Sequence, residues 1–163
     1  MEARTLHAPL NALSAATRPQ GIEIATLTTF DIPALAVLTL EAYGDDVTPE
    51  ALLETSEELR LTFEGAFGAT TEDSFVGAWD GGTLVGAILV VRESPWDDAP
   101  DDPFVVDLIV APDYRRRGIA TALVAEVAGR CASWGFGSLA LRLDSRHGGA
   151  NELYSVLGFE EIA

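Results

Sequence analysis

The sequence predicts an α/β domain, a central mixed sheet flanked by helices. Three observations carry this expectation: apolar runs of strand length alternate with segments of helical period, an Asp-Gly-Gly turn joins two of the runs, and one run-helix-run succession requires a parallel pair. The predicted order is β-α-α-β-β-β-α-β-α-β over residues 21–163, a single domain behind a flexible arm at 1–20. A chain of 163 residues can bury one core but is short for two.

"IEIATL", Ile22 to Leu27, alternates apolar and polar residues and reads as a half-buried strand. Asp31 followed by Pro33 starts a helix whose apolar positions are Leu35, Leu38 and Ala42, and Gly44 ends it. Thr48 and Pro49 open a second helix running to about Gly65. "SFVGAWDGGTLVGAILVVRE" is a hairpin with strands at 74–80 and 83–92, followed by the acidic, Pro-rich loop "SPWDDAPDD".

"PFVVDLIVA" restores an apolar run at 104–111, continuous enough to be covered on both faces. Ile119, Leu123, Val127 and Ala128 then recur at helical spacing between Arg117 and Trp134, and Gly135 stops the helix. "SLALRL" at 138–143 completes a βαβ unit. A last helix is expected at 149–157, ended by Gly158, with a short strand in "FEEIA".

Composition excludes several function classes. Twenty-six acidic against ten basic residues, a formal net charge of −16, leave no positive face for nucleic acid or for an anionic membrane surface. No apolar run reaches the ~18 residues of a membrane span, and the first twenty residues lack a basic segment leading into an apolar core. The single Cys131 lies in an apolar helical pattern, which reads as a buried thiol in a reducing, cytoplasmic setting rather than as a nucleophile.

Against that acidity, "PDYRRRGIAT" sets three consecutive arginines, Arg115 to Arg117, at the start of a helix. Cations at a helix N-terminus are unfavourable by about 0.3–1 kcal/mol each, so arginines there call for an anion. Gly118 and Ala120 permit close approach to the backbone, and the first-turn N–H groups have no intrahelical acceptors. The segment therefore reads as a phosphate cradle. It is neither a Walker loop nor a dinucleotide fingerprint.

"DLIVAPDYRRRGIATALV" resembles the acetyl-CoA-binding segment of the GCN5-related N-acetyltransferase (GNAT) superfamily, matching its pattern at Leu108, Val110, Pro112, Arg115, Gly118 and Ala120. "ANELYSVLGFEEI" resembles a second signature through Ala150, Leu153, Tyr154, Gly158 and Phe159. The hairpin is similar to the family's second and third strands, so the resemblance extends over about 22–163.

The resemblance implies an acetyl-CoA-dependent N-acetyltransferase, with acetyl-CoA as co-substrate and no metal. The backbone of Leu108, Ile109 and Val110 would pair with the pantetheine arm, and the N–H groups of Arg116, Arg117, Gly118, Ile119, Ala120 and Thr121 would hold the pyrophosphate. Arg115 completes this cofactor set. The sheet would splay between its fourth and fifth predicted strands, 104–111 and 138–143. A backbone N–H near Val110 would polarise the thioester carbonyl.

Tyr154 would be the general acid that protonates the CoA thiolate. The acceptor ammonium must lose a proton, and the candidates for taking it are Asp107, Asp144, Glu93 and Asp97; Arg142 stands where some members carry a Glu base. His147 occupies a position where the family often has a cofactor-touching Asn, and Asn151 is the other candidate for that contact. Family members commonly continue past the "GFEEI" segment into a final strand, which leaves an edge to be covered by the N-terminal arm or by a second subunit of a homodimer. The acidic surface suits a cationic small-molecule or peptide amine. A non-catalytic acyl-CoA-binding or sensor domain is the competing reading.

Overall fold

The structure, a computed structural model, describes residues 4–10, 19–66, 68–92, 102–143 and 159–161. Seven strands form one sheet in the order β2-β3-β4-β5-β6-β1-β7. They are β1 (Arg4–Pro9), β2 (Glu23–Thr26), β3 (Phe75–Asp80), β4 (Thr83–Val91), β5 (Phe104–Val110), β6 (Ser138–Leu143) and β7 (Glu160–Glu161). The helices are α1 (Ile32–Ala42), α2 (Pro49–Phe63) and α3 (Ile119–Ser133). Every neighbouring pair is antiparallel except β5 and β6.

The mixed α/β class and, among the described residues, the succession from Ile22 onward agree with the sequence reading. The helix expected at 149–157 and residues 93–101 of the acidic loop lie outside the described residues.

The N-terminal arm is the principal correction. Residues 4–9, expected to be loose, form β1, which lies between β6 and β7 and pairs with both, Leu6 opposite Leu141 on one side and Glu161 on the other. The cause is period-two burial, because Leu6, Ala8 and Leu10 point into the core while His7 is half-buried and Pro9 is exposed. The Leu10 N–H extends the pairing by donating to the Gly137 carbonyl at 3.0 Å.

A smaller correction concerns the start of α1. Asp31 makes no cap of its own; it belongs to a capping box one turn earlier, in which Thr28 Oγ1 accepts from the Phe30 N–H at 3.3 Å and Asp31 Oδ2 accepts from the Thr28 N–H at 2.8 Å. Thr48 caps α2 as expected, accepting from the Ala51 N–H at 3.1 Å.

The sheet carries a core on each face. On one, Ile119, Leu123, Val127 and Cys131 of α3 pack on Val76, Val85, Ile88 and Leu139. On the other, Leu35 and Leu38 of α1 and Leu59 of α2 meet Phe75, Ala87, Leu89 and Ile109. Gly86 sets how closely α3 approaches, since a Cβ there would stand 2.9 Å from Ile119 Cγ2.

Ala8 is fully buried in β1, so Ala8→Asp places an unpaired carboxylate in the sheet. We expect a cost of about 3 kcal/mol or more and a fall in Tm of roughly 10 °C. A Tm unchanged in a thermal melt would return residues 4–9 to the status of a loose arm.

Candidate active site

The site grows from an irregularity in β5. Leu89 of β4 stands opposite Asp107 but its neighbour Val90 stands opposite Val105, so Val106 is an extra residue, a β-bulge. Strict alternation would put Asp107 on the same face as Val105, which packs in the α3 core. The bulge instead turns Val106 and Asp107 together toward α1 and α2.

The other edge of β5 parts from β6 at the same place. Their parallel register comprises Phe104 with Ala140 and Val105 with Leu141, and no later pair among the described residues. Beyond Val105, therefore, β5 presents a backbone edge that β6 does not use. This is the splay expected between strands 104–111 and 138–143.

On the α1 and α2 side, a cavity of about 580 Å³ lies against the bulge. Ala51, Glu54, Thr55 and Glu58 line it from one stripe of α2, at the 3–4-residue spacing of a helix face. Thr39 and Leu40 line it from α1, Tyr43 from that helix's C-cap, Asp45 from the connecting turn, and Val106 and Asp107 from β5. Tyr43 donates its hydroxyl to Asp107 Oδ1 at 2.5 Å. With Asp45, Glu54, Glu58 and Asp107 on its wall, the cavity favours a cation.

The arginine triplet follows β5 after a 3₁₀ turn at Pro112–Tyr114. Arg116 has φ +63° and Gly118 φ +82°, both in the left-handed region. For a non-glycine residue that conformation costs about 1–2 kcal/mol and points to a functional constraint. Gly118 is the N-cap of α3 and provides no side-chain cap, and the first-turn N–H groups, which have no intrahelical acceptor, suit an anion.

The three arginines do different things. Arg117 lies over the Tyr114 ring, 4.9 Å from its centroid, and the Tyr114 hydroxyl donates to Asp80 Oδ2 at 2.6 Å. That bond to Asp80 pushes the Tyr114 phenol above its ordinary value. Arg115 turns back over the fold, donating from Nε to the Val110 carbonyl at 3.2 Å and from Nη2 to the Ala42 carbonyl at 2.6 Å.

Two comparisons bear on this arrangement. The model of the "Acetyltransferase (GNAT) family" matches residues 37–159, most of the chain. The chain belongs to the GNAT acetyltransferase family. No curated protein matches it significantly.

Among solved structures, a GCN5-related N-acetyltransferase from Sphaerobacter thermophilus is 24% identical with TM-score 0.69, over 98% of this chain and 48% of that one. This GNAT chain thus spans about half the length of that protein. The ribosomal-protein-S18-alanine N-acetyltransferase from Escherichia coli is 20% identical with TM-score 0.64, over 87% and 79% of the two chains. PaiA N-acetyltransferase from Thermoplasma acidophilum, in complex with coenzyme A, is 19% identical with TM-score 0.64, over 85% and 89%. At these identities the likeness is one of fold.

Within the GNAT frame, Leu108, Ile109 and Val110 lie on the splayed stretch of β5, and Arg115 to Thr121 form the loop and first turn of α3. Leu108 and Val110 lean on the α3 core, and Ile109 on the opposite one. Asp107 is the one predicted base candidate among the described residues. Tyr154, His147, Asn151, Asp144, Glu93 and Asp97 fall outside them, as does the Arg142 side chain.

Tyr43, Asp45, Glu54 and Glu58 were not singled out from sequence. The spacing of Glu54 and Glu58 marks a helix face, but that this face borders a cavity is a tertiary fact. Cys131 is fully buried, and burial pushes its thiol up to about 12, far from nucleophilic. No described helix is long and apolar enough to cross a membrane.

Proposed function

We propose that this domain is an N-acetyltransferase that moves the acetyl group of acetyl-CoA to a primary amine of a cationic small molecule or peptide, by direct attack in a ternary complex. One observation carries the reading: a cradle of helix-start backbone donors and arginines stands at one end of the splayed β5, and a carboxylate-lined cavity opens beside its bulge. An anionic donor and a cationic acceptor thereby have separate places along one strand.

The fit to CoA rests on the chain's own groups. The α3 first-turn N–H groups from Ile119 to Thr121, with the backbone of Arg116 to Gly118, suit a pyrophosphate. The edge of β5 at Leu108 to Val110 suits an extended amide-bearing arm added as a strand. Bound there, acetyl-CoA supplies an activated thioester.

Asp107 takes the proton of the acceptor ammonium, directly or through water, since an alkylammonium of pKa ~10.4 has no lone pair for attack. The amine nitrogen then forms the new C–N bond as the C–S bond breaks, and it releases to water the second proton that the amide does not keep. Tyr154 returns a proton to the departing thiolate. Asp45, Glu54 and Glu58 hold a cationic acceptor in the cavity.

A thiol-release screen with acetyl-CoA against polyamines, aminoglycosides, amino acids and peptide N-termini tests the activity. With the best acceptor, Asp107→Asn is expected to lower kcat by about 100-fold or more while CoA affinity holds. Tyr154→Phe should likewise lose turnover and keep CoA. Wild-type protein that binds CoA and acetylates no amine would be the sensor domain instead.

Gly118→Val tests the cradle, because a β-branched residue at φ +82° is strained. We expect calorimetric CoA affinity to fall at least about tenfold, against a few-fold for Arg116→Ala or Arg117→Ala. Normal CoA binding by Gly118→Val would remove the cradle.

Acceptor steering predicts a salt dependence. kcat/KM for the amine should drop several-fold between low and about 0.5 M ionic strength, where screening shortens to a few Å. A flat profile would sink the electrostatic part of the reading.

A further inference from the structure

The C-terminal end of α1 is tied to β5 by two links, made of three hydrogen bonds, that the reaction outlined above does not use. Tyr43 donates to Asp107 at one end of the stretch 107–110, and Arg115 bridges Val110 at the other end to Ala42, the residue next to Tyr43. We propose that Tyr43 is a positioning residue for Asp107, and that Arg115 holds the helix end from which Tyr43 reaches it. This inference rests on the reading of Asp107 as the proton acceptor.

Three observations support it. The Tyr43 to Asp107 bond joins residues 64 apart at 2.5 Å, a charge-assisted contact that holds one carboxylate oxygen and so the orientation of the group beside the cavity. Second, α1 has no basic residue in its last turn, and its C-terminal carbonyls carry partial negative charge. Arg115 supplies the missing cation from elsewhere in the fold, at the Ala42 carbonyl. Third, the Arg115 guanidinium is engaged with two carbonyls, unlike a side chain reserved for a phosphate.

The groups facing Asp107 give the bond a chemical purpose. Asp45 from the turn and Glu54 and Glu58 from α2 line the same cavity, while across the sheet its partner is the apolar Leu89. Three carboxylates disfavour a further negative charge there. A hydroxyl donor favours it, keeping the base ready for a proton.

The test compares Tyr43→Phe, Arg115→Ala, Arg116→Ala and Asp107→Asn with the best acceptor from the screen, reading kcat/KM against pH and CoA affinity by calorimetry. Tyr43→Phe should lower kcat/KM roughly tenfold and move its acid limb to higher pH, with CoA affinity within about twofold of wild type. Arg115→Ala should raise the acceptor KM roughly three- to tenfold and leave CoA affinity within about twofold, the reverse of Arg116→Ala.

If Asp107→Asn is inactive while Tyr43→Phe keeps the wild-type rate and pH profile, the positioning role is wrong although the base assignment stands. Full activity in Asp107→Asn would overturn the base assignment and the positioning role with it. Loss of CoA affinity in Arg115→Ala equal to that in Arg116→Ala would make Arg115 a cofactor ligand. Should Arg115→Ala fail to fold, Arg115→Lys, which keeps the charge without the planar fork, is read in the same way.

Discussion

A parallel strand pair that holds for two residue pairs and then separates is the constraint on which the rest of the site depends. Parallel strands need a crossover, here α3, and its N-terminal loop must start where β5 ends. Had β5 and β6 stayed paired along their length, the backbone edge of Leu108 to Val110 would be consumed within the sheet. The bulge at Val106 coincides with the separation, so one distortion frees an edge and rotates Asp107 to the α1 and α2 side. The free edge and the carboxylate on the cavity wall are in this sense products of a single local fault in the pleat.

The charge distribution follows the same division. A chain of net charge −16 gathers three of its ten basic residues at one turn, yet only the backbone there is uniformly suited to an anion. The side chains diverge: Arg117 stacks on Tyr114 and Arg115 fastens α1. The carboxylates of α2 and the α1–α2 turn lie on the opposite face of the sheet from α3. On the proposed function, a sheet between opposite potentials would keep an anionic donor and a cationic acceptor from competing for one surface.

What was legible in the sequence was local. The Asp80-Gly81-Gly82 hairpin, the Thr48 cap and the period of α3 each depend on residues within a few positions, and all three appear where expected. The turn and helix start at 115–119 were legible because their signals, arginine and glycine in succession, are contiguous. Asp107 could be named as a carboxylate on β5 but not placed on a face, since the period-two rule fails at the unsignalled bulge. Tyr43 looked like an ordinary residue at a helix end, and its partner is 64 residues away. That Arg115 turns away to the end of α1 has no local signal and appears only once α1 is folded against β5. β1 went unread for a related reason: its short alternation becomes a strand only through partners at the far end of the sequence.

That position of β1 bears on how the domain is made. Ribosomes deliver a chain in order, and β1 is synthesised long before the two strands that flank it. Through that interval Leu6, Ala8 and Leu10 have no sheet to enter, while β3, β4 and β5 can already associate with their sequence neighbours. Insertion of β1 closes the longest loops in the structure and belongs to the late, slow part of folding. A nascent or truncated product lacking β6 would carry this apolar strand exposed, a natural handle for chaperones and proteases to distinguish unfinished molecules from finished ones.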